Sequence, residues 1–122
     1  MQLMPTLTCL CVLLSATAVQ ADASKQDEGR ALAMDYCGAC HRVSPEQAPP
    51  PKVSIDSGSG LQEYEAPSFR QIALRPGRNA DYLRTVIQAP HYPMREQLFI
   101  PEELEEIIAY ILSLKATGED EW

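Results

Sequence analysis

The sequence predicts an all-α fold, and two observations lead to this expectation. Near its end the chain carries apolar residues at steps of three and four, which is the period of an amphipathic helix. These residues are Leu104, Ile107, Ile108, Ile111 and Leu114. No stretch of the chain alternates apolar and polar residues convincingly enough to be a strand. We therefore expect helices joined by loops, and no sheet.

The first 21 residues differ from the rest of the chain. They carry no charged side chain, and residues 7–14 form an apolar run that only Thr8 interrupts. Small residues around Ala21 suit a signal peptidase, so we expect a secretory signal peptide over residues 1–21, too short to span a bilayer. Because only the α-amino group is positive there, an uncleaved N-terminal anchor is the alternative.

The chain is acidic, with 17 Asp and Glu against 10 Lys and Arg and a net charge of −7. This charge argues against nucleic acid, which needs a basic surface, and against adsorption on anionic membranes. Once the signal peptide is cleaved, we expect no stable membrane insertion. Protein partners should instead present basic docking patches.

Residues 22–28 should form a polar leader to one domain over residues 29–115. A helix should run from Gly29 to Tyr36 and lead directly into the cysteine-containing segment that follows. Gly29 and Ala33 lie four residues apart, hence on one face of this helix. Because both are small, a second helix could approach very closely there.

Residues 42–66 should be an irregular loop, because their prolines and glycines disfavour both helix and strand. A short helix should follow over residues 68–74. Asn79 is a suitable N-cap for the next helix, which should end at Gln88. Pro101 fits the first position of the last helix. Residues 116–122 should form a mobile acidic tail.

The segment Cys37-Gly38-Ala39-Cys40-His41 is the most specific feature of the chain. Two thiols separated by two residues and followed at once by histidine form the attachment motif of c-type haem. Each cysteine can form a thioether with one vinyl group of the haem. His41 can then offer an imidazole nitrogen to the iron. A buried haem would also supply apolar contacts that so small a core lacks.

Other chemistries use parts of the same motif. A thioredoxin-like dithiol has the same cysteine spacing, but it needs no histidine and belongs beside a βαβ pattern, which does not flank Cys37. A zinc site needs four ligands, and outside the motif only His91 remains. A plain disulfide would be strained across so short a loop and would leave His41 unexplained. Haem attachment explains the motif best.

The second axial position has two candidates after the signal peptide. Met94 lies in a proline-stiffened loop between two helices, and such a loop can bring a thioether across the far face of a haem. His91, in the same loop, is the rival because imidazole is also a good iron ligand. Met34 lies on the helix before the motif, where it fits as core filler. We favour Met94.

On these residues the chain resembles the class I monohaem cytochrome c family, in its small secreted bacterial form, over about residues 29–115. Four features carry the resemblance. They are the Gly29-x-x-x-Ala33 helix leading into Cys37–His41, the Ala66-Pro67-Ser68-Phe69 segment, the Met94 loop and the Ile107–Ile111 helix. The resemblance implies a cytochrome c fold, with three to four helices around one covalent haem c.

The resemblance also implies roles for single residues. Cys37 and Cys40 would hold the thioethers, His41 and Met94 would be the axial ligands, and the Pro67 carbonyl would accept a hydrogen bond from His41. Gly29 and Tyr110 would meet where the first and last helices cross. This chain departs from the family in having Arg95 after the methionine, where proline is common. Its long loop also leaves the Pro49–Pro51 run as a competitor of Pro67.

The function implied by the resemblance is that of a periplasmic electron carrier, not an enzyme, either free or as the cytochrome subunit of a dehydrogenase or oxidase system. With His41 and Met94 both bound, the iron has no open position for a substrate. Its partners would be redox proteins with basic docking patches. If Met94 binds weakly, the alternative is a haem-based gas sensor or a weak peroxidase.

Overall fold

The computed structural model describes residues 13–116, 118 and 122. Its helices are α1 (Leu13–Tyr36), α2 (Phe69–Leu74), α3 (Ala80–Gln88) and α4 (Pro101–Ser113). A two-stranded antiparallel sheet, β1 (Val53–Asp56) and β2 (Leu61–Tyr64), lies between α1 and α2. The mainly helical architecture and the places of the three later helices were predicted from the sequence.

The crossing of α1 and α4 is the largest contact between elements of the fold. A Cβ atom built on Gly29 would overlap the backbone carbonyl of Glu106 and lie 3.0 Å from the backbone nitrogen of Ile107. Ala33, one turn later, is completely buried. The predicted close approach of a second helix is therefore observed, and glycine is needed because the partner at this point is backbone.

Helix α1 begins well before the predicted start at Gly29. It includes residues 22–28, expected as a leader, and residues 13–21 of the predicted signal peptide. This stretch contains neither proline nor glycine, so nothing in it ends a helix. Residues 1–12 of the predicted signal peptide lie outside the described residues. Within the described chain, no helix combines the length and apolar character needed to cross a bilayer.

The strands β1 and β2 correct the expectation that residues 42–66 contain no strand. Val53 pairs with Tyr64, and the hairpin closes through a turn in which Gly58 and Gly60 have φ angles of 77° and 126°. The Gly58 amide donates a hydrogen bond of 2.9 Å to Oδ1 of Asp56. The glycines that we interpreted as strand breakers adopt the positive φ angles that close the hairpin.

Side-chain caps fix where the later helices begin. The hydroxyl of Ser68 and the side chain of Gln71 form a reciprocal capping box at α2, with both hydrogen bonds at 3.0 Å. Asn79 caps α3 as predicted, because its Oδ1 accepts a hydrogen bond of 2.9 Å from the Tyr82 amide. At α4, Ile100 has no capping oxygen, but its amide donates to Oε2 of Glu103 at 3.3 Å.

The core lies where α4 meets the other helices. Its buried residues on α4 and just beyond include all those predicted from the helical repeat: Leu104, Ile107, Ile108, Ile111 and Leu114. Trp122 also packs against this core, and the Arg42 guanidinium lies 5.6 Å from the centre of its ring. Within the expected acidic tail, Trp122 therefore lies against an apolar and cationic surface formed by residues far away in sequence. Residues 117 and 119–121 lie outside the described residues.

Candidate functional site

The cysteine–histidine motif forms a turn that continues α1. The Cys37 amide donates to the Ala33 carbonyl at 2.9 Å, and the His41 amide donates to the Cys37 carbonyl at 2.9 Å. A Cβ atom at Gly38 would overlap the backbone carbonyl of Met34, so the first residue between the two cysteines has room only for hydrogen. This local geometry places both thiols and the imidazole at one end of the helix.

His41 is oriented by a backbone carbonyl. Its Nδ1 lies 2.7 Å from the carbonyl oxygen of Pro67. Because a carbonyl oxygen can only accept, Nδ1 must carry the proton, which leaves the lone pair on Nε2 available to a metal. The contact is made by Pro67 and not by the competing proline run at residues 49–51.

Burial favours the neutral form of this imidazole. Removal from solvent lowers the pKa of His41; the Pro67 hydrogen bond partly opposes this, and the electrostatic interaction with His91 lowers the pKa further. A neutral imidazole with a fixed proton on Nδ1 is the form that binds iron.

Gln47 stabilises the motif and was missed in the sequence. Its Nε2 donates to the carbonyls of Gly38 at 2.8 Å and His41 at 3.2 Å, while its Oε1 accepts from the Val43 amide at 2.7 Å. One side chain thus satisfies three backbone groups of the turn. The sequence contains no signal for this role, because the amide acts only after the loop has folded back on the motif.

Aromatic side chains connect the motif to α4. The Phe69 ring lies 5.7 Å from the His41 ring and 6.4 Å from the Tyr110 ring, measured between centroids. The Tyr110 hydroxyl donates a hydrogen bond of 2.8 Å to the Val43 carbonyl. Gly29, the predicted neighbour of Tyr110, contacts α4 one turn earlier, at Glu106. Tyr110 therefore anchors the segment that follows the motif.

The two cysteines of the motif are free thiols, with Cys37 half-buried and Cys40 exposed. Burial, and to a lesser extent the neighbouring Cys40, raises the pKa of the Cys37 thiol to about 11. At neutral pH this sulfur remains protonated, whereas a thioredoxin-like centre depends on a thiolate. In the described chain, no cluster of three or more His, Cys, Asp or Glu side chains could hold a metal ion.

The predicted distal residue, Met94, lies in the loop between α3 and α4. This side chain is half-buried, and the Met94 amide donates to the His91 carbonyl at 2.8 Å in a turn. His91 itself is exposed. The hydrogen bond places Met94 in a local turn with His91.

The donor groups of this site fit a covalently attached haem. Cys37 and Cys40 offer two free sulfurs at thioether spacing, and His41 has its Nδ1 already satisfied and its Nε2 available. The site therefore defines a protein of the class that carries covalent haem, in which Cys37 and Cys40 would hold the thioethers and His41 would be an axial ligand.

The comparisons with known proteins agree with this class. The family model described as "Cytochrome c" matches residues 26–115. No curated protein and no solved structure matches the chain. The chain belongs to the cytochrome c family, which confirms the predicted fold and the single covalent haem c. As a member of this family it is a haem-binding electron carrier.

Proposed function

We propose that this protein is a one-electron carrier of the periplasm, in which His41 and Met94 hold the haem iron from its two faces. The observation that supports this most is the hydrogen bond of 2.7 Å between His41 and the Pro67 carbonyl. It fixes the proton on Nδ1 before any metal is bound, so the ligand needs no rearrangement.

The haem, attached to Cys37 and Cys40, supplies an iron that can cycle between the ferric and ferrous states. The protein supplies what sets the potential of that iron. A thioether ligand from Met94 favours the ferrous state, and burial of the site raises the potential further. With both axial positions filled, neither oxygen nor peroxide has a place to bind.

The partners of the carrier follow from its charge. The chain has a net charge of −7, which steers it towards redox proteins with a basic patch. The apolar, uncharged run at residues 7–14 supports export through a signal peptide ending at Ala21. Mass spectrometry of the protein from the periplasmic fraction tests this: a chain beginning at Asp22 is expected, and a chain beginning at Met1 would indicate an anchor.

A second function is favoured by one observation. The Met94 side chain is only half-buried, and its loop contains no helix or strand. If this loop releases the iron readily, the protein would bind a small gas or peroxide and act as a sensor or a weak peroxidase. The coordination state of the iron separates the two functions.

Visible spectra of the protein, produced with the c-type haem maturation machinery, test the proposal. An electron carrier ligated by Met94 should show the far-red methionine–iron band when oxidised and no response to carbon monoxide when reduced. His91→Ala is the matched control in the same loop and should leave both results unchanged. A reduced spectrum that shifts with carbon monoxide in the wild-type protein would support the sensor or peroxidase instead.

A further inference from the structure

The hairpin β1–β2 has an inner and an outer face. Residues directly opposite each other in an antiparallel pair point to the same side. The register therefore puts Val53, Ile55, Gln62 and Tyr64 on one face and Ser54, Asp56, Leu61 and Glu63 on the other. Ile55 is buried and Val53 is half-buried, whereas Gln62 and Tyr64 on the same face are exposed, so the β1 half of this face is turned towards the molecule. All four residues of the second set are exposed, and we call them the outer face.

An apolar side chain flanked by acidic ones marks the outer face. Leu61 is 78% exposed, with Asp56 opposite it and Glu63 two residues further along the same strand. Neither carboxylate takes part in an ion pair with another described residue. An exposed leucine between carboxylates matches the usual design of a docking surface, an apolar centre with a polar rim.

Although Ile55 is buried, the hairpin has little support from the helices. Within the described chain the two strands pair with each other, and neither lies against a helix. An isolated two-stranded hairpin is only marginally stable in water. A partner seated on it would supply contacts that the fold does not provide.

The base of the hairpin adjoins the haem site. Pro51, just before β1, and Glu65, just after β2, line a cavity of about 100 Å³ together with Cys40. Pro67, whose carbonyl orients His41, lies two residues beyond Glu65. A protein docked on the hairpin would therefore approach the site from the side of the Cys40 thioether.

We propose that the outer face of the hairpin is the docking surface for a redox protein with a basic patch around an apolar centre. This proposal rests on the proposed function and assigns a place to the partner. The hairpin and its flanks carry more acidic than basic residues: Asp56, Glu63 and Glu65 against Lys52. This negative charge complements a basic surface. The same charges repel anionic membranes and nucleic acid.

A lysine-rich mitochondrial cytochrome c carrying zinc in place of iron is a suitable probe for this surface. On illumination, its excited zinc porphyrin gives one electron to the ferric haem, which becomes ferrous while the porphyrin becomes a cation radical. In Glu63→Lys we expect a second-order rate about tenfold lower at low ionic strength, with the difference shrinking as salt is added. In Leu61→Ser we expect a loss of a few fold that salt does not remove.

Asp27→Lys is the matched control, because it makes the same charge change at an exposed position of α1. It lies ten residues before Cys37, or about 15 Å along the helix axis. Its rate should stay close to that of the wild-type protein. Reduction by dithionite should be equally fast in all four proteins, which confirms that the haem itself is unchanged.

Two results would overturn the docking surface but leave the proposed function standing. One is an equal loss of rate in Asp27→Lys and Glu63→Lys, which would mean that only net charge matters. The other is a wild-type protein that sedimentation shows to be a dimer and that Glu63→Lys turns into a monomer, since the outer face would then bind a second copy. A wild-type protein that takes up no haem would instead overturn the proposed function.

Discussion

The two proposed axial ligands, His41 and Met94, differ in how firmly the protein holds them. The ring of His41 is held by the Pro67 carbonyl, its backbone carbonyl accepts from Gln47, and Phe69 packs beside it. Within residues 90–99, the only hydrogen bond to another described residue joins the Met94 amide to the His91 carbonyl. The histidine side is held by hydrogen bonds between distant parts of the chain, whereas the hydrogen bond beside Met94 is local, and the contact of its segment with α1 is made by Phe99, which packs against Tyr36.

This difference indicates how the two ligands would be used. A preorganised histidine keeps its geometry in both oxidation states, so electron transfer needs little rearrangement. A methionine on a loop would be held in position by the iron–sulfur bond itself. The histidine side should therefore be rigid with or without haem, and the methionine side should depend on the haem for its order.

The largest effect is expected on the histidine side. His41→Ala removes the axial nitrogen that the Pro67 carbonyl orients, so the yield of haem-loaded protein should fall by more than about tenfold. Pyridine haemochrome absorbance per milligram of protein measures this yield. His91→Ala is the control and should leave it unchanged. A normal haem yield in His41→Ala would contradict the assignment of the proximal ligand.

Replacing Met94 should leave the haem attached but change its spectrum and its reduction potential. Met94→Ala should abolish the far-red band and lower the reduction potential by on the order of 0.1–0.3 V, part of the range that axial ligands span. A redox titration in the visible range provides the measurement. Met34→Leu replaces the only other methionine between residues 22 and 122 and should change neither quantity. An unchanged potential in Met94→Ala would show that another group binds the iron.

A substitution at Gln47 tests whether this one side chain stabilises the turn that contains His41. Gln47→Leu removes both hydrogen bonds that Gln47 donates and leaves the Val43 amide without its acceptor, so the unfolding free energy should fall by about 2–3 kcal/mol. Denaturant unfolding of the haem-loaded protein measures this. Gln88→Leu, at an exposed position at the end of α3, should stay within about 0.5 kcal/mol of the wild type. Equal effects of the two substitutions would count against the role of Gln47.

The smallest effect is expected at Tyr110, and it should depend on pH. Burial raises the pKa of the Tyr110 hydroxyl in the folded protein, while Arg30 acts in the opposite direction. Stability from this group is therefore complete below the pKa of an unfolded tyrosine, about 10. It is lost as the pH rises through the higher folded value, because the unfolded chain releases the proton first.

Tyr110→Phe should lower the unfolding free energy by about 1 kcal/mol at neutral pH, because the hydrogen bond to Val43 is lost. The deficit should shrink as the pH rises above about 10, where the wild type loses the contribution of Tyr110. Denaturant unfolding at several pH values provides the measurement. A deficit that grows in this range would mean that the sign of the pKa shift is wrong.

What the sequence predicts well is local. The spacing of the cysteines and His41, the helical repeat before Leu114 and the cap at Asn79 all act within a few residues, so a sequence pattern can identify them. The contact between His41 and Pro67 could be proposed only through the family resemblance, because 26 residues separate the two.

What the sequence did not predict depends on the folded chain. Gln47 acts only where the loop folds back on the motif. Trp122 packs beside Arg42, eighty positions away in the sequence. The hairpin was missed because Gly58 and Gly60 disfavour a strand when viewed locally, but they permit a turn once Val53 and Tyr64 pair. In each case the decisive interaction joins segments that no local pattern connects.

The central claim, that Met94 and His41 share the iron, is tested most directly by the NMR spectrum of the reduced protein with ¹³C-labelled methionine methyl groups. A methyl group bonded through sulfur to haem iron lies over the ring and shifts strongly upfield. We predict one such signal, absent in Met94→Ala and retained in Met34→Leu. A reduced wild-type protein with no upfield methionine methyl signal would contradict the claim.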